Sequence, residues 1–108
     1  MPKITFRFSN EQLKALLESG GVRFSTNGVE ALGAILEAEG VMWTVSDVSR
    51  IFKEMSADVF IEYVRDNFQD DGSPADAIAD VEDAVEYWNG MGLRANEYDG
   101  VVVFEPLR

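Results

Sequence analysis

The segment that decides the fold is the C-terminal stretch of residues 93–104, which reads LRANEYDGVVVF. An Asp-Gly pair flanked by apolar and β-branched residues is the strongest short-range signal for a β-hairpin. The segment therefore predicts two antiparallel strands, over residues 93–98 and 101–105, joined at Asp99-Gly100. One face of this hairpin is predicted to point into the core, and its side chains are those of Leu93, Ala95, Val102 and Phe104.

The N-terminal part of the chain changes from a strand signal to helix signals. Apolar and polar side chains alternate over Ile4–Phe8, which predicts a half-exposed strand belonging to the same small sheet. Ser9 and Gln12 have the spacing of a capping box, so a helix is expected to begin there and to end at the glycines of residues 20–21. A second helix is predicted over residues 27–40, and it is again ended by glycine.

Residues 41–55 carry two competing signals. The β-branched and aromatic start of the segment is typical of a strand, whereas the apolar spacing from Val45 to Met55 also fits a helix capped by Thr44. We favour a strand that turns into a short helix, and the helical alternative stays open. Ser56 is then expected to cap a further helix, whose predicted buried side chains are Val59, Phe60, Tyr63, Val64 and Phe68.

The last predicted helix extends over Asp76–Trp88. Ser73 offers a cap, Pro74 a suitable first residue and Asp76 an acid in the first turn. A narrow apolar stripe is expected to face the core, formed by Ile78, Val81, Val85 and Trp88. On the opposite arc the carboxylates form two rows, one of Asp76, Asp80 and Asp83 and the other of Glu82 and Glu86.

These signals together describe one α+β domain over residues 1–108. A chain of 108 residues is long enough to form a single core without disulfides or metals. We predict a small, mainly antiparallel sheet with a C-terminal β-hairpin, covered by four or five helices.

The excess negative charge of the chain is concentrated in its C-terminal half. The net charge is −11, yet residues 1–54 carry six basic and seven acidic side chains, for a net charge of −1. Residues 55–108 carry three basic and thirteen acidic side chains, for a net charge of −10. No Lys or Arg occurs between Arg65 and Arg94. Such a distribution produces a local negative potential that repels nucleic acid and anionic membranes and attracts cationic surfaces.

Two absent residue types exclude large classes of chemistry. The sequence has no cysteine and no histidine, which excludes disulfides, thiolate metal sites and imidazole-based catalysis. It contains no glycine-rich phosphate-binding loop. The stretch from Asp66 to Ala77 also fails as an EF-hand, because Gly72 occupies position seven and Ala77 position twelve. We therefore expect a protein that is not an enzyme and that uses no cofactor.

The sequence gives no membrane signal. The longest apolar run, residues 101–104, is far too short to span a bilayer. The N-terminal residues alternate instead of forming the apolar core of a signal peptide. We expect a cytoplasmic protein without a membrane partner.

The C-terminal part of the chain resembles a winged helix-turn-helix domain. The helix over 76–88, the link at residues 92–93 and the turn at residues 98–101 resemble its recognition helix and wing, and residues 43–52 are similar to the first helix of many such units. The resemblance implies that the exposed face of residues 76–87 would enter a DNA groove. That face carries five acids and no base, whereas DNA binding needs Lys and Arg to neutralise phosphates. We therefore expect no direct nucleic-acid binding, and an interaction module with a winged-helix shape that does not bind DNA stays open as an alternative.

The chain also resembles the small acidic proteins of phages and mobile elements, of the anti-restriction and anti-CRISPR type. The shared features are its length, its α+β pattern, its lack of cysteine and its charge concentrated on one surface. This resemblance implies an inhibitor that acts by binding a protein. It assigns no role to any single residue.

The predicted partner-binding residues are the carboxylates Asp70, Asp71, Asp76, Asp80, Glu82, Asp83 and Glu86. Regularly spaced carboxylates can imitate the backbone charge of a nucleic acid to a protein built to bind one. The expected partner is thus a basic protein surface, that of a nucleic-acid-binding protein. Two alternatives stay open. One is a divalent-metal site or carboxylate enzyme using Asp70, Asp71 and Asp76, and the other is an ordinary solvated surface.

Overall fold

The computed structural model describes residues 3–4, 9–39 and 43–107 of the chain. The helices in these residues are α1 (Asn10–Ser19), α2 (Thr26–Glu39), α3 (Val45–Ile51), α4 (Ala57–Asp66), α5 (Pro74–Ala77) and α6 (Val81–Gly90). The strands are β1 (Lys3–Ile4), β2 (Trp43–Thr44), β3 (Lys53–Ser56), β4 (Ala95–Tyr98) and β5 (Val101–Phe104). The α+β class predicted from the sequence is confirmed.

The predicted hairpin lies at the centre of the fold. β4 and β5 pair in antiparallel register with Tyr98 opposite Val101. Asp99 and Gly100 form the turn with φ angles of 46° and 86°. Two consecutive positive φ angles are those of a type I′ turn, whose twist matches that of the strands it joins. β3 pairs with the other side of β5, which gives the strand order β3-β5-β4.

The three-stranded sheet has a buried cluster on each face, because successive side chains of β5 point in opposite directions. The cluster under α4 and α6 contains Phe60, Val64, Ile78, Ala84, Trp88, Ala95, Val102 and Phe104. The cluster under α1, α2 and α3 contains Leu13, Leu17, Phe24, Val29, Ala31, Leu32, Ile35, Leu36, Val45, Val48, Phe52 and Val103. The predicted core face of the hairpin is confirmed, with Leu93 half-buried against the first cluster.

Side chains of α6 attach that helix to the hairpin. The indole Nε1 of Trp88 donates a buried hydrogen bond of 2.8 Å to the carbonyl oxygen of Glu105. The amide of Asn89 bonds both backbone groups of Ala95: its Nδ2 donates to the carbonyl oxygen at 3.2 Å, and its Oδ1 accepts from the N–H at 3.0 Å. The C-terminal half of α6 is therefore fixed against the end of β5 and the beginning of β4.

The N-terminal strand lies outside the three-stranded sheet. Lys3 pairs with Thr44 and Ile4 with Trp43, so that β1 and β2 form a separate two-stranded ladder. The prediction that Ile4 belongs to the sheet of the hairpin is wrong, because the neighbour of β5 opposite β4 is β3. Residues 5–8 of the predicted strand lie outside the described residues.

The side-chain caps predicted at Ser9 and Ser56 are confirmed, whereas the side chain of Ser73 makes no cap hydrogen bond at the start of α5. Ser9 Oγ accepts from the N–H of Gln12 at 3.2 Å, and Gln12 Oε1 accepts from the N–H of Ser9 at 2.9 Å. Ser56 Oγ accepts from the N–H of Val59 at 3.4 Å at the start of α4. Val59 itself is 54% exposed, so its predicted burial is wrong. Phe60 and Val64 form the buried face of α4 instead.

The predicted change from strand to short helix after residue 41 is confirmed for the residues that the structure describes. Thr44 ends β2 and caps α3 by accepting from the N–H of Asp47 at 3.0 Å. The chain leaves the helix at Phe52 and forms β3. The helical alternative up to Met55 is therefore wrong, because residues 53–56 pair with β5 in a contact that local spacing does not encode.

The single helix predicted over Asp76–Trp88 is wrong. α5 ends at Ala77, and α6 begins at Val81. In a continuous helix the carbonyl oxygen of Ile78 would accept from the N–H four residues later. Here that oxygen accepts from Nε and Nη2 of Arg65 at 2.9 and 2.7 Å, and the side chain of Ile78 is buried. The guanidinium of α4 thus stabilises a break between α5 and α6.

We expect Gly100→Ala to lower the free energy of unfolding by about 1–2 kcal/mol, because an L side chain disfavours a positive φ angle. Gly90→Ala is the matched control, since Gly90 ends α6 and a Cβ there meets no neighbouring atom. The control should leave stability unchanged or raise it slightly. Chemical denaturation of both variants measures the difference. Equal stability of the two would contradict the role of the turn.

Candidate partner-binding surface

The seven carboxylates predicted to bind a partner lie between the end of α4 and the middle of α6, and we call them the acidic segment. Two lie in the loop after α4, one in α5, one at the cap of α6 and three on α6; in chain order they are Asp70, Asp71, Asp76, Asp80, Glu82, Asp83 and Glu86. Asp83 is half-buried and the other six are exposed. The acidic segment is thus available to a partner over most of its length.

Part of the acidic segment stabilises the start of α6. Asp80 is the N-cap residue, and its Oδ1 accepts from the N–H of Asp83 at 2.9 Å. Asp83 in turn accepts from the N–H of Ala79 through Oδ2 at 3.2 Å. Glu82 also lies in the first turn, where the helix dipole favours negative charge. The acid density around residue 80 therefore has a structural reason in addition to any functional one.

The row predicted from Asp76, Asp80 and Asp83 does not form on one helix. Asp76 lies in α5, Asp80 is outside both helices and Asp83 lies in α6. The second predicted row is confirmed, because Glu82 and Glu86 lie four residues apart on α6 and are both exposed. The break between α5 and α6 thus replaces one long acidic face by several shorter ones.

An open cleft of about 500 Å³ lies between α6 and the segment that connects it to α4. Phe68, Ile78, Tyr87 and Met91 supply its apolar lining. The rings of Phe68 and Tyr87 are tilted by 33°, with centroids 5.1 Å apart. The N–H of Gln69 donates to the hydroxyl oxygen of Tyr87 at 3.0 Å, which fixes the tyrosine against the connecting segment.

Three members of the acidic segment line the same cleft. Asp70 approaches it from the loop, and Asp83 and Glu86 approach it from α6. The other four members do not line it. The sequence pattern placed Phe68 in the core and gave no sign of the cleft, because Phe68 and Tyr87 are nineteen residues apart and meet only after the chain folds.

The basic side chains that flank the acidic segment are bound elsewhere. Arg65 pairs with Glu62 at 3.0 Å and donates to the carbonyl oxygen of Ile78. Arg94 pairs with Glu105 at 3.5 Å. Among the described residues, no ion pair includes a carboxylate of the acidic segment. In the part of the chain that the structure describes, its negative charge is therefore not balanced by a Lys or Arg side chain.

The metal-binding alternative finds no support in the described part of the chain. No group of three or more Asp, Glu, His or Cys side chains there lies close enough to hold a metal ion. Asp70, Asp71 and Asp76, which the alternative would use, are exposed residues of the loop and of α5.

Comparisons with known proteins assign no role to these residues. No protein-family model, curated protein or solved structure matches the chain. Within residues 3–4, 9–39 and 43–107, no helix combines the length and the apolar character needed to cross a bilayer. A functional proposal for this protein therefore rests on the cleft and the acidic segment alone.

We expect Asp80→Ala to lower the free energy of unfolding by about 1 kcal/mol, because it removes the cap of α6. Asp80→Asn should be nearly neutral, since an asparagine oxygen can accept the same N–H of Asp83. Urea denaturation distinguishes the two variants. If both lost the same stability, the charge of Asp80 and not its hydrogen bond would be responsible.

We also expect the melting temperature to rise between about 10 mM and about 1 M NaCl, because salt screens the repulsion among the exposed carboxylates. At 0.1 M salt, repulsion between exposed charges more than roughly 10 Å apart is already largely screened. A variant with Asp71→Asn, Asp76→Asn and Glu82→Gln should show a smaller rise. Thermal melts recorded by circular dichroism provide the measurement. A melting temperature that falls with added NaCl would refute the expectation.

Proposed function

We propose that this protein binds a basic, nucleic-acid-processing protein and inhibits or modulates it through the acidic segment. The observation that carries the proposal is the set of exposed carboxylates that no described Lys or Arg neutralises. In this proposal the protein performs no chemistry of its own and uses no cofactor. Its carboxylates occupy the positions at which the partner would otherwise bind phosphates.

The distribution of charge supports collective binding. A surface rich in one charge speeds the encounter with an oppositely charged partner over long distances. Each exposed ion pair contributes only roughly 0–1 kcal/mol, so no single carboxylate of the acidic segment dominates. The affinity then depends on several carboxylates together and decreases as salt screens them.

The order of helices and strands supports a second aspect of the proposal, a winged-helix shape. α4 packs against α6, and α6 leads directly into the hairpin of β4 and β5. This succession agrees with the resemblance to a winged helix-turn-helix domain. The helix that would face DNA carries Glu82, Asp83 and Glu86 in place of Lys or Arg. As an alternative within this proposal, the protein is an interaction module that has a winged-helix shape and does not bind DNA.

The proposal also includes a biological setting. A small acidic inhibitor of the anti-restriction or anti-CRISPR type, encoded by a phage or mobile element, would meet its nucleic-acid-processing partner in the cytoplasm. This setting is suggested by the lack of cysteine, the short α+β chain and the negative charge concentrated in the C-terminal half.

The test compares two triple variants with equal changes in net charge. The first carries Asp71→Asn, Asp76→Asn and Glu82→Gln in the acidic segment. The second carries Glu11→Gln, Glu18→Gln and Glu37→Gln, which alter exposed residues of α1 and α2. Wild type and the second variant should capture the same basic nucleic-acid-processing protein from a lysate of the source cells. The first variant should bind it with an association rate about tenfold lower at low salt.

A competition experiment completes the test. Nucleic acid that the captured protein binds should displace wild type from it, because both would occupy the same basic groove. Capture of the same protein to the same extent by all three proteins would contradict the proposed role of the acidic segment. Simultaneous binding of nucleic acid and wild type would contradict the mimicry.

A further inference from the structure

The cleft beside α6 combines aromatic surface with carboxylates. Phe68 and Tyr87 lie side by side in its wall, and both are half-buried. Met91 adds a flexible apolar side chain next to them. An aromatic ring attracts a cation through the negative charge of its face. This wall can therefore bind both the apolar and the cationic parts of a basic side chain.

The carboxylates of the cleft lie on two different elements. Asp70 comes from the loop after α4, whereas Glu86 comes from the middle of α6. Both are exposed, so their charges lie near the opening of the cleft and keep their hydration until a partner arrives. Asp83 is half-buried and is oriented by its hydrogen bond with the N–H of Ala79. A cation entering the cleft would thus meet carboxylates on two sides.

The chemistry of this cleft fits a guanidinium better than an ammonium group. A guanidinium is planar and weakly hydrated, so it can stack on an aromatic ring while its edge donates to carboxylates. A lysine ammonium is compact and strongly hydrated, and it gains less from the aromatic wall. The aliphatic stem of an arginine would pack against Met91. The volume of about 500 Å³ also leaves room for the residues that flank such an arginine.

We infer that the cleft formed by Phe68, Tyr87 and Met91, with Asp70, Asp83 and Glu86 around it, binds an arginine side chain of the basic partner. This inference rests on the proposed function and makes it more specific. The remaining carboxylates attract any basic surface, whereas the cleft selects a surface that presents an arginine at the correct position.

Two blocked peptides of equal charge test the inference without the natural partner. One is hexalysine, and the other is the same peptide with its third lysine replaced by arginine. Wild type should bind the arginine peptide about three- to fivefold more tightly, which corresponds to the strength of an exposed cation–π contact. The amide resonances that shift only with the arginine peptide in a ¹⁵N NMR titration should belong to residues of the cleft.

Two double variants separate the cleft from general charge. Asp70→Asn with Glu86→Gln removes two carboxylates of the cleft, and Asp76→Asn with Glu82→Gln removes two exposed carboxylates outside it. Both weaken the binding of hexalysine, but only the first should abolish the preference for arginine. Phe68→Leu keeps an apolar side chain without the ring, so it should lower the preference and leave hexalysine binding unchanged. Thermal melts check that each variant is folded.

The outcomes distinguish the inference from the proposed function. If the preference is lost with the first double variant and kept with the second, the inference is supported. If wild type does not distinguish the peptides, or if both double variants keep the preference, the arginine site is overturned while the acidic surface stands. If neither double variant weakens the binding of either peptide, the acidic surface of the proposed function is contradicted as well.

Discussion

The whole structure depends on the burial of β5 from both sides. Its backbone is bonded to β3 on one edge and to β4 on the other, while Val103 and Phe104 point into different clusters. A shift of one residue in its register would exchange these two faces. The type I′ turn at Asp99-Gly100 fixes the register, because it leaves no spare residue between the strands. The helices on both sides are thus positioned by one four-residue strand.

The contact between Arg65 and the carbonyl oxygen of Ile78 lies at the break between α5 and α6, among the carboxylates of the acidic segment. With that oxygen occupied, the chain leaves helical geometry between α5 and α6, and Asp80 becomes a cap. The connecting segment also runs beside α6, where Phe68 packs against Tyr87 and both line the cleft. Ile78, whose carbonyl oxygen binds Arg65, also lines this cleft.

The features that the sequence predicts correctly depend on neighbours along the chain. The caps at Ser9, Thr44 and Ser56 and the turn at Asp99-Gly100 each involve residues at most three positions apart. β3 escapes prediction because residues 53–56 are a strand only through pairing with β5, about fifty residues later. The helix break and the cleft are not predicted either, because both depend on contacts between residues that are distant in the sequence. Local spacing therefore locates the acids in the chain but not their arrangement.

The amide of Asn89 has a consequence for how this protein meets other chains. By bonding both the N–H and the carbonyl oxygen of Ala95, it occupies the outer edge of β4 as a neighbouring strand would. Exposed strand edges are templates for the addition of further strands and for aggregation. An incoming chain would have to displace two hydrogen bonds to extend the sheet at that position. At Ala95, a partner that approaches the outer edge of β4 would therefore contact side chains instead of unpaired backbone groups.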